Sequence, residues 1–341
     1  MPRSDCGDQT RRYPLRMPPD WDPPVPAWSS TFADSVSEVA MCVIGFQHAD
    51  DQQTDEFLVA LKGLTDGVDI ADFAFCEGVG GLRQTVGIFY WTDPRKSADW
   101  LEGQAFQAFW AEHTSTEAGY GVFRELFNIP LERSETLFSS PERDDGMSRR
   151  RAGVEGPIQR HQYWGGMRDR VPVSGHDPLE AEGTLTVERD GNRVRVRTHE
   201  NLCIIRSGQD WSSTQGDQRA DYLERIEPVL LAGMNFLRDK GGNIGCYSCR
   251  YMREMEADGT PAERSFGLAY FRTMAELERW AEHHPTHLAI FNTFLEIAPK
   301  YGPDLQLRLW HEVSVLPAGN QFGEYVNCLP GTGLLVDAST N

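Results

Sequence analysis

The sequence lacks the features that mark membrane, secreted and nucleic-acid-binding proteins. Its apolar runs are all shorter than a membrane-spanning helix, and its N-terminus has no apolar core of the kind found in signal peptides. Basic residues are few, with 33 Lys and Arg against 51 Asp and Glu, and the formal net charge is -18. This balance disfavours nucleic acids and anionic membranes as partners. We therefore expect a cytoplasmic protein, and the charge is compatible with a small neutral substrate.

Cysteine is also sparse. The seven cysteines are scattered and odd in number, which favours reduced thiols over a disulfide framework. Cys246 and Cys249 form the only close pair. The pair lacks both a second Cys pair and a following histidine, so neither a zinc ribbon nor covalent haem attachment is indicated. A chance pair on one strand is a simpler interpretation than a redox motif.

The N-terminal residues are rich in proline and charge, with prolines recurring from Pro14 to Pro26. This composition predicts an extended arm over residues 1–35, draped over the body or over a partner subunit. A homodimer is compatible with such an arm. The remaining chain is long enough for one large or two ordinary domains.

Two distant stretches carry the same pattern. Gly87 and Trp100 in the first align without a gap on Gly267 and Trp280 in the second, which indicates a strand–helix unit used twice. The next shared position differs, being Gln107 in the first stretch and His287 in the second. Imidazole is the commonest protein metal ligand, whereas glutamine is a poor one. We infer that one copy is structural and the other is equipped for chemistry.

Hydrophobic periodicity predicts the same order of elements in both halves. Predicted strands lie near 40–47, 72–79, 84–91, 201–206, 243–252, 265–272 and 305–316, and predicted helices near 54–64, 95–112, 217–239 and 274–298. An inserted hairpin is expected over 183–198, turning at Asp190-Gly191. The closing strand of the first half has the weakest pattern.

The element order is that of a split βαβ, or ferredoxin-like, unit in each half. We therefore predict an α+β fold in which two duplicated ferredoxin-like units form a barrel-like β body with outer helices. The expected boundaries are the arm at 1–35, a first half at 36–140, a linker at 141–160, a second half at 161–320 and a C-terminal tail at 321–341.

His287 is a candidate ligand within the second long helix. Pro285 should interrupt that helix and restart it, because proline is tolerated in a first turn. At helical spacing His287 shares a face with Phe291 and Phe294, which suits an axial ligand of a haem lying against an apolar stripe. A buried core histidine bonded to a carbonyl is the alternative. His283 and His284 lack HExxH spacing and are expected at the surface.

His311 is a candidate acid–base group. Alternation along the last predicted strand places it on one face with aliphatic side chains such as Leu309 and Val313. A polar imidazole on an apolar face needs a bonding partner, which points to function or to a satisfied structural role.

Four motifs follow one another along the chain: HQYWGGMRDR from His161, NLCIIRSGQDW from Asn201, HPTHLAIF from His284 and LWHEV from Leu309. In this order they resemble motifs of the haem-containing aldoxime dehydratases. The similarity runs through nearly the whole chain after the arm, and the family shares a duplicated ferredoxin-like body.

The resemblance implies roles for individual residues. His287 falls on the proximal ligand of a non-covalent haem b, and His311 on the distal acid–base histidine. Ser207 and Arg168 fall on the distal serine and arginine that hold the oxime hydroxyl. Arg170 is an alternative to Arg168, since a strand would place both on one face. Glu135 is the choice for the distal glutamate, with Glu132 as a competitor.

The implied reaction converts an aldoxime, R-CH=N-OH, into a nitrile and water. The family uses ferrous haem, to which the oxime binds through nitrogen, and the distal histidine protonates the leaving oxygen and then takes the carbon-bound proton. Three alternatives remain open: a peroxidase-like haem enzyme of the same fold, a haem-based sensor or carrier, and a haem-free binding module. Aliphatic and arylalkyl substrates are equally compatible.

Overall fold

The computed structural model describes residues 11–49, 53–115 and 119–336. Its strands are Ser29–Thr31 (β1), Glu38–His48 (β2), Ile70–Glu77 (β3), Arg83–Trp91 (β4), Gly121–Pro130 (β5), Ser134–Phe138 (β6), Gly153–Glu155 (β7), Thr186–Asp190 (β8), Arg193–Arg197 (β9), Leu202–Asp210 (β10), Cys246–Met255 (β11), Pro261–Phe271 (β12), Arg308–Leu316 (β13) and Gln321–Val326 (β14). Its α-helices are Gln53–Lys62 (α1), Pro94–Glu102 (α2), Gln104–His113 (α3), Gly166–Arg170 (α4), Gly216–Asp221 (α5), Glu227–Lys240 (α6), Met274–His283 (α7) and Pro285–Ile297 (α8). Within these ranges, no helix is long and apolar enough to cross a membrane.

Each half contributes four adjacent strands to a single twelve-stranded sheet. The first half is ordered β3-β4-β2-β5, and the second is ordered β11-β12-β10-β13. All of these neighbours are antiparallel. The halves join through β3 and β11, where Phe75 pairs with Arg253 and Ala74 with Glu254. The structure therefore has the predicted α+β class, and its two halves have the same order of strands and helices along the chain.

The expected barrel-like closure is wrong, because the sheet stays open. Among the described residues its two edges are β6 and β8. Closure would have to join β13 to β5, but both strands already have other partners. Strand β13 pairs with β6, while β14, β9 and β8 extend the sheet beyond β5. The predicted hairpin is present as β8 and β9, and β14 lies in the segment expected to be a tail.

Both long helices of the repeat are interrupted. The helix expected over 95–112 is two helices, since Gly103 has extended backbone between α2 and α3. The break predicted at Pro285 is confirmed, with α7 ending at His283 and α8 beginning at Pro285. The His284 side chain accepts a hydrogen bond from the backbone N–H of Thr286 and so caps α8.

Hydrophobic clusters pack on both faces of the sheet. One face carries a core of aliphatic and aromatic side chains from both halves, among them Met41, Phe123 and Leu268. On the other face, α1 to α3 cover the first half around Phe46 and Phe106. Helix α7 covers part of the second half. The described cysteines are free thiols, including Cys246 and Cys249.

Residues 11–28 of the N-terminal arm lie against the start of the second half and reach β6. Backbone N–H groups of Arg12 and Tyr13 donate to the Gly175 carbonyl. At the other end, Trp28 bridges to Phe138 of β6. We call residues 11–28 the strap, because they run over the segment that contains α4.

Candidate active site

The register of three neighbouring strands places the predicted polar residues on one face. Ser207 of β10 is paired with His311 of β13. Glu135 of β6 is paired with Val313, two residues along β13 from His311. Because side chains alternate along a strand, residues paired in register or separated by two point to the same side of the sheet. Ser207, His311 and Glu135 therefore share a face, which is the side covered by helices.

Glu135, Arg170 and His311 form a close cluster on this face. The Arg170 guanidinium donates to both carboxylate oxygens of Glu135, with Nε 2.8 Å from Oε2 and Nη2 3.2 Å from Oε1. His311 Nε2 lies 3.0 Å from Arg170 Nη2 and 2.9 Å from Glu135 Oε1. The same imidazole nitrogen therefore faces both a donor and an acceptor.

The cluster is buried on its acidic side and open at the histidine. The side chains of Glu135 and Arg170 are 1% and 8% exposed, and that of His311 is 22% exposed. Burial by itself would raise the pKa of Glu135, but the charges of Arg170 and His311 and their hydrogen bonds lower it to about 2. Glu135 is therefore ionised at neutral pH and holds the other two groups.

The two candidate arginines point in different directions. Arg168 forms a bidentate pair with Glu278 of α7, with Nη2 2.7 Å from Oε2, and also donates to the Pro178 carbonyl. The expectation that a strand carries both arginines is wrong, because they lie in the short helix α4. Two residues along an α-helix are separated by about 200°, so only Arg170 reaches Glu135.

The competing glutamate lies away from this cluster. Glu132 occupies a short 3₁₀ turn over Leu131–Arg133 and is exposed. Glu135 is the second residue of the following strand and contacts Arg170 and His311. Of the two predicted glutamates, the structure brings only Glu135 to the cluster.

Buried charges anchor the opposite face of the same strands. Arg206 and Glu312, the neighbours of Ser207 and His311, are paired in register. Arg206 Nη1 lies 2.8 Å from Asp72 Oδ2 and 3.2 Å from the Tyr90 hydroxyl, which donates to Glu312. Burial is the main factor that raises the pKa of Glu312. This network links the halves and resists sliding of β10 against β13.

His287 lies in the first turns of α8 among aromatic rings. Its ring centroid is 4.7 Å from that of Trp280 and 6.1 Å from that of Trp164. Its Nδ1 atom is buried and has no hydrogen bond of normal geometry. Burial lowers the pKa of His287, and a weaker contact with the Ala281 backbone partly offsets this effect. A neutral imidazole is the form that binds a metal ion.

Helix α8 leaves apolar surface uncovered near this histidine. Although its sequence is predominantly apolar, Ile297 is its only buried residue. Leu295 is 46% exposed and Trp164 is 40% exposed. The ring centroids of Trp164 and Phe291 are 5.1 Å apart. A neutral histidine beside apolar and aromatic surface fits an axially ligated haem. Sequence reasoning did not assign Trp164 a role, although it belongs to the motif that begins at His161.

The chain is similar to known proteins along most of its length. The sequence model of the family described as haem-containing dehydratase matches residues 42–334. The chain is 38% identical over 340 residues to the aliphatic aldoxime dehydratase of Rhodococcus erythropolis, covering 97% of this chain and 96% of that protein. It is 34% identical over 332 residues to the phenylacetaldoxime dehydratase of Bacillus sp. (strain OxB-1), covering 94% and 93%.

A solved structure extends the likeness to the whole fold. The crystal structure of an aldoxime dehydratase in complex with butyraldoxime superposes with a TM-score of 0.89 at 37% identity, covering 96% of this chain and 93% of that chain. The family model spans most of the sequence, and the relatives match over nearly their full length. The chain therefore belongs to the haem-containing dehydratase family.

Proposed function

We propose that this protein is an aldoxime dehydratase that converts R-CH=N-OH into a nitrile and water. The observation that carries this proposal is the Glu135–Arg170–His311 cluster on the face shared with Ser207. The family membership and the named activities of the relatives support it. Aliphatic and arylalkyl aldoximes both remain candidate substrates, and we propose that the enzyme acts in the cytoplasm.

The cofactor in this proposal is a non-covalent haem b, active in the ferrous state. His287 would hold its iron, and Trp164 and Phe291 would supply apolar contacts beside that histidine. Such a haem would supply electron density that weakens the N–O bond of an oxime bound through nitrogen. The remaining steps depend on side chains of this chain.

His311 would serve as acid and then as base. As imidazolium, its Nε2–H has Glu135 Oε1 as acceptor at 2.9 Å. As neutral imidazole with Nε2 unprotonated, the same atom accepts from Arg170 Nη2 at 3.0 Å. Both protonation states therefore have a partner, so the ring can give a proton to the leaving oxygen and then take one from the substrate carbon without losing its position.

Arg170 and Ser207 would hold the oxime hydroxyl. Their donors can orient its oxygen and stabilise negative charge as the N–O bond breaks. We assign this role to Arg170 in place of Arg168, because Arg168 is engaged by Glu278 whereas Arg170 is beside His311. Glu135 would fix the guanidinium and the imidazole in this arrangement.

We also infer that the two halves arose by duplication of a ferredoxin-like unit. The mirrored strand orders support this inference, as does the equivalent pairing of Gly87 with Ile44 and of Gly267 with Ser207.

The test uses full-length protein loaded with haem and reduced by dithionite under nitrogen. We expect a Soret shift on adding butyraldoxime or phenylacetaldoxime, followed by the corresponding nitrile in gas chromatography. Ferric protein should form no nitrile, because ferric iron prefers the oxime oxygen. A haem spectrum that no aldoxime changes would contradict the dehydratase proposal and favour a sensor. Rapid peroxide turnover by ferric protein would favour a peroxidase-like enzyme.

A further inference from the structure

Asp169 is a buried carboxylate between the two arginines of α4. It is 2% exposed. Its oxygens accept from the backbone N–H groups of Arg16 at 2.9 Å and Met17 at 3.0 Å, and from the Tyr163 hydroxyl at 2.7 Å. Charge-assisted bonds of this kind are among the stronger ones in proteins. Asp169 therefore attaches the strap to α4 and to the loop before it, residues 159–165.

The strap grips that loop at further points. Trp21 donates from Nε1 to the His161 carbonyl at 2.9 Å, and its own carbonyl accepts from Gln159 at 2.8 Å. The rings of Trp21 and Tyr163 meet edge to face at 5.7 Å. Gly165 has a φ of +98°, and a Cβ there would lie 2.4 Å from Arg16 Cδ. The strap is thus pressed directly against the loop.

The same loop also holds the distal arginine. Arg170 Nη1 donates to the Arg160 carbonyl at 2.7 Å. This bond is the third constraint on the guanidinium, after Glu135 and His311. Because Arg160 lies within the loop gripped by the strap, the position of its carbonyl depends on the strap.

The other end of the loop borders the proximal histidine. Trp164 follows Tyr163 directly and contacts both His287 and Phe291. One short segment therefore reaches the proximal group through Trp164 and the distal group through Arg170. Asp169, where the strap is attached, lies between Trp164 and Arg170 in the sequence.

His161 indicates how the loop would move if this attachment weakened. Its ring is buried, and both ring nitrogens lack a hydrogen-bond partner. A buried polar group without a hydrogen-bond partner destabilises the fold, and this cost is removed when the group is exposed to water. A loosened strap would therefore allow the loop to open toward solvent.

We propose that Asp169 is a positioning residue for the reaction, through which the strap holds Arg170 against Glu135 and His311 and holds Trp164 against His287. This inference rests on the proposed function, since it gives Arg170 and His287 their roles there. Asp169 itself touches neither substrate nor haem. Its effect is on the geometry of groups that do.

The principal variant is Asp169→Asn, which keeps the size of the side chain and removes its charge. The milder variant is Tyr163→Phe, which removes one hydrogen bond to Asp169. Ser174→Ala is the matched control, because Ser174 accepts from Arg11 of the same strap at 3.1 Å but lies outside α4. Arg170→Ala provides the reference for a displaced guanidinium.

Three measurements on haem-loaded, full-length protein test the inference. In Asp169→Asn we expect kcat for butyraldoxime to fall roughly tenfold to a hundredfold, with a smaller change in KM, because misplacement of a catalytic group costs this much. The C–O stretch of the ferrous carbon monoxide complex should shift toward that of Arg170→Ala. Haem transfer to apomyoglobin should become faster. Tyr163→Phe should change all three in the same direction and by less, and Ser174→Ala should match the unmodified protein.

A different pattern would overturn the inference. If Asp169→Asn lowered only the thermal midpoint and kept the kcat and C–O stretch of the unmodified protein, Asp169 would be purely structural. If Asp169→Asn failed to fold, Tyr163→Phe would decide between the same two outcomes. If the unmodified protein made no nitrile, the proposed function would fail, yet the C–O stretch and haem transfer would still report whether Asp169 positions Arg170 and Trp164.

Discussion

The two halves of the molecule share one arrangement of strands but carry different side chains at equivalent positions. In the first half, Ile44 is paired with Gly87 on one side and with Arg124 on the other. In the second half, Ser207 is paired with Gly267 and His311 in the same way. An aliphatic residue and an arginine thus occupy the places that a hydroxyl and an imidazole occupy in the second half.

The helices above these residues differ accordingly. In the first half, α3 buries Phe106, Phe109 and Trp110, and the Arg124 guanidinium lies 4.7 Å from the Trp110 ring centre. In the second half, α8 buries only Ile297. The first half closes its sheet face with aromatic packing, whereas the second leaves apolar surface beside His287. The two halves therefore differ in how completely helices cover the same arrangement of strands.

The largest effect should come from erasing the difference between Gln107 and His287. We expect His287→Gln to weaken haem binding by more than about a hundredfold, since even losing a partner outside the ligand set costs 10–100-fold. Gln107→His should gain no haem, because Gln107 is exposed and donates to the Leu101 carbonyl. Haem content and the Soret band of both variants measure this. Haem retained at full affinity by His287→Gln would remove the ligand role.

The next effect separates the two arginines of α4. Arg170→Ala should lower kcat by roughly 10²-fold, the cost of losing a donor to developing charge. Arg168→Ala should lower it far less, because that side chain is paired with Glu278. Steady-state kinetics with butyraldoxime compare the variants, and urea unfolding checks that both are folded. Equal losses in the two variants would contradict the assignment to Arg170.

A third prediction concerns the carboxylates that hold Arg124 and His311. Glu324 pairs with Arg124 at 2.7 Å, and Glu135 pairs with His311 at 2.9 Å. The pKa of Glu135 is lowered from 4.5 to about 2, despite the opposing effect of burial. A lowered folded-state pKa adds stability above the unfolded pKa, and this stability is lost as pH falls through the folded value.

We therefore expect Glu135→Gln to lower the unfolding free energy at pH 7 by about 3 kcal/mol, the equivalent of that pKa shift. The gap from the unmodified protein should narrow between about pH 4.5 and about pH 2. Urea titrations of haem-free protein at several pH values measure it, with Glu324→Gln as the first-half counterpart. A gap independent of pH would show that the pKa of Glu135 is not lowered.

The smallest effect should come from the shared glycines. A Cβ at Gly87 would lie 2.8 Å from Phe89, which is buried between other aromatic rings, whereas one at Gly267 would lie 2.9 Å from the Met234 sulfur. Gly87→Ala should cost about 1–3 kcal/mol, because the ring cannot move aside. Gly267→Ala should cost less than about 1 kcal/mol, since methionine adapts. Thermal unfolding compares them, and the reverse ranking would contradict this view of the packing.

Local patterns predicted much of the fold because periodicity reports burial directly. The strands around 40–47 and 84–91 and the break at Pro285 are present in the structure. The barrel-like closure was wrong because β6 and β14 pair with β13 and β5, and this pairing depends on residues far away in sequence. Pairing between strands that are far apart in sequence leaves only a weak pattern in any short stretch of residues.

The site divides in the same way. The sequence by itself determined that His311 lies on a strand and that His287 lies on an apolar face of a helix restarted at Pro285, because these facts follow from spacing along one element. Ser207 lies just beyond the strand predicted near 201–206, and the structure extends that strand to Asp210. Only the tertiary structure decided that Glu135 and Arg170, and not Glu132 and Arg168, meet His311. One physical reason is that α4 is a helix and not a strand, so Arg168 and Arg170 point to opposite sides. The other is that β6 pairs with β13, a strand that lies far from it in sequence.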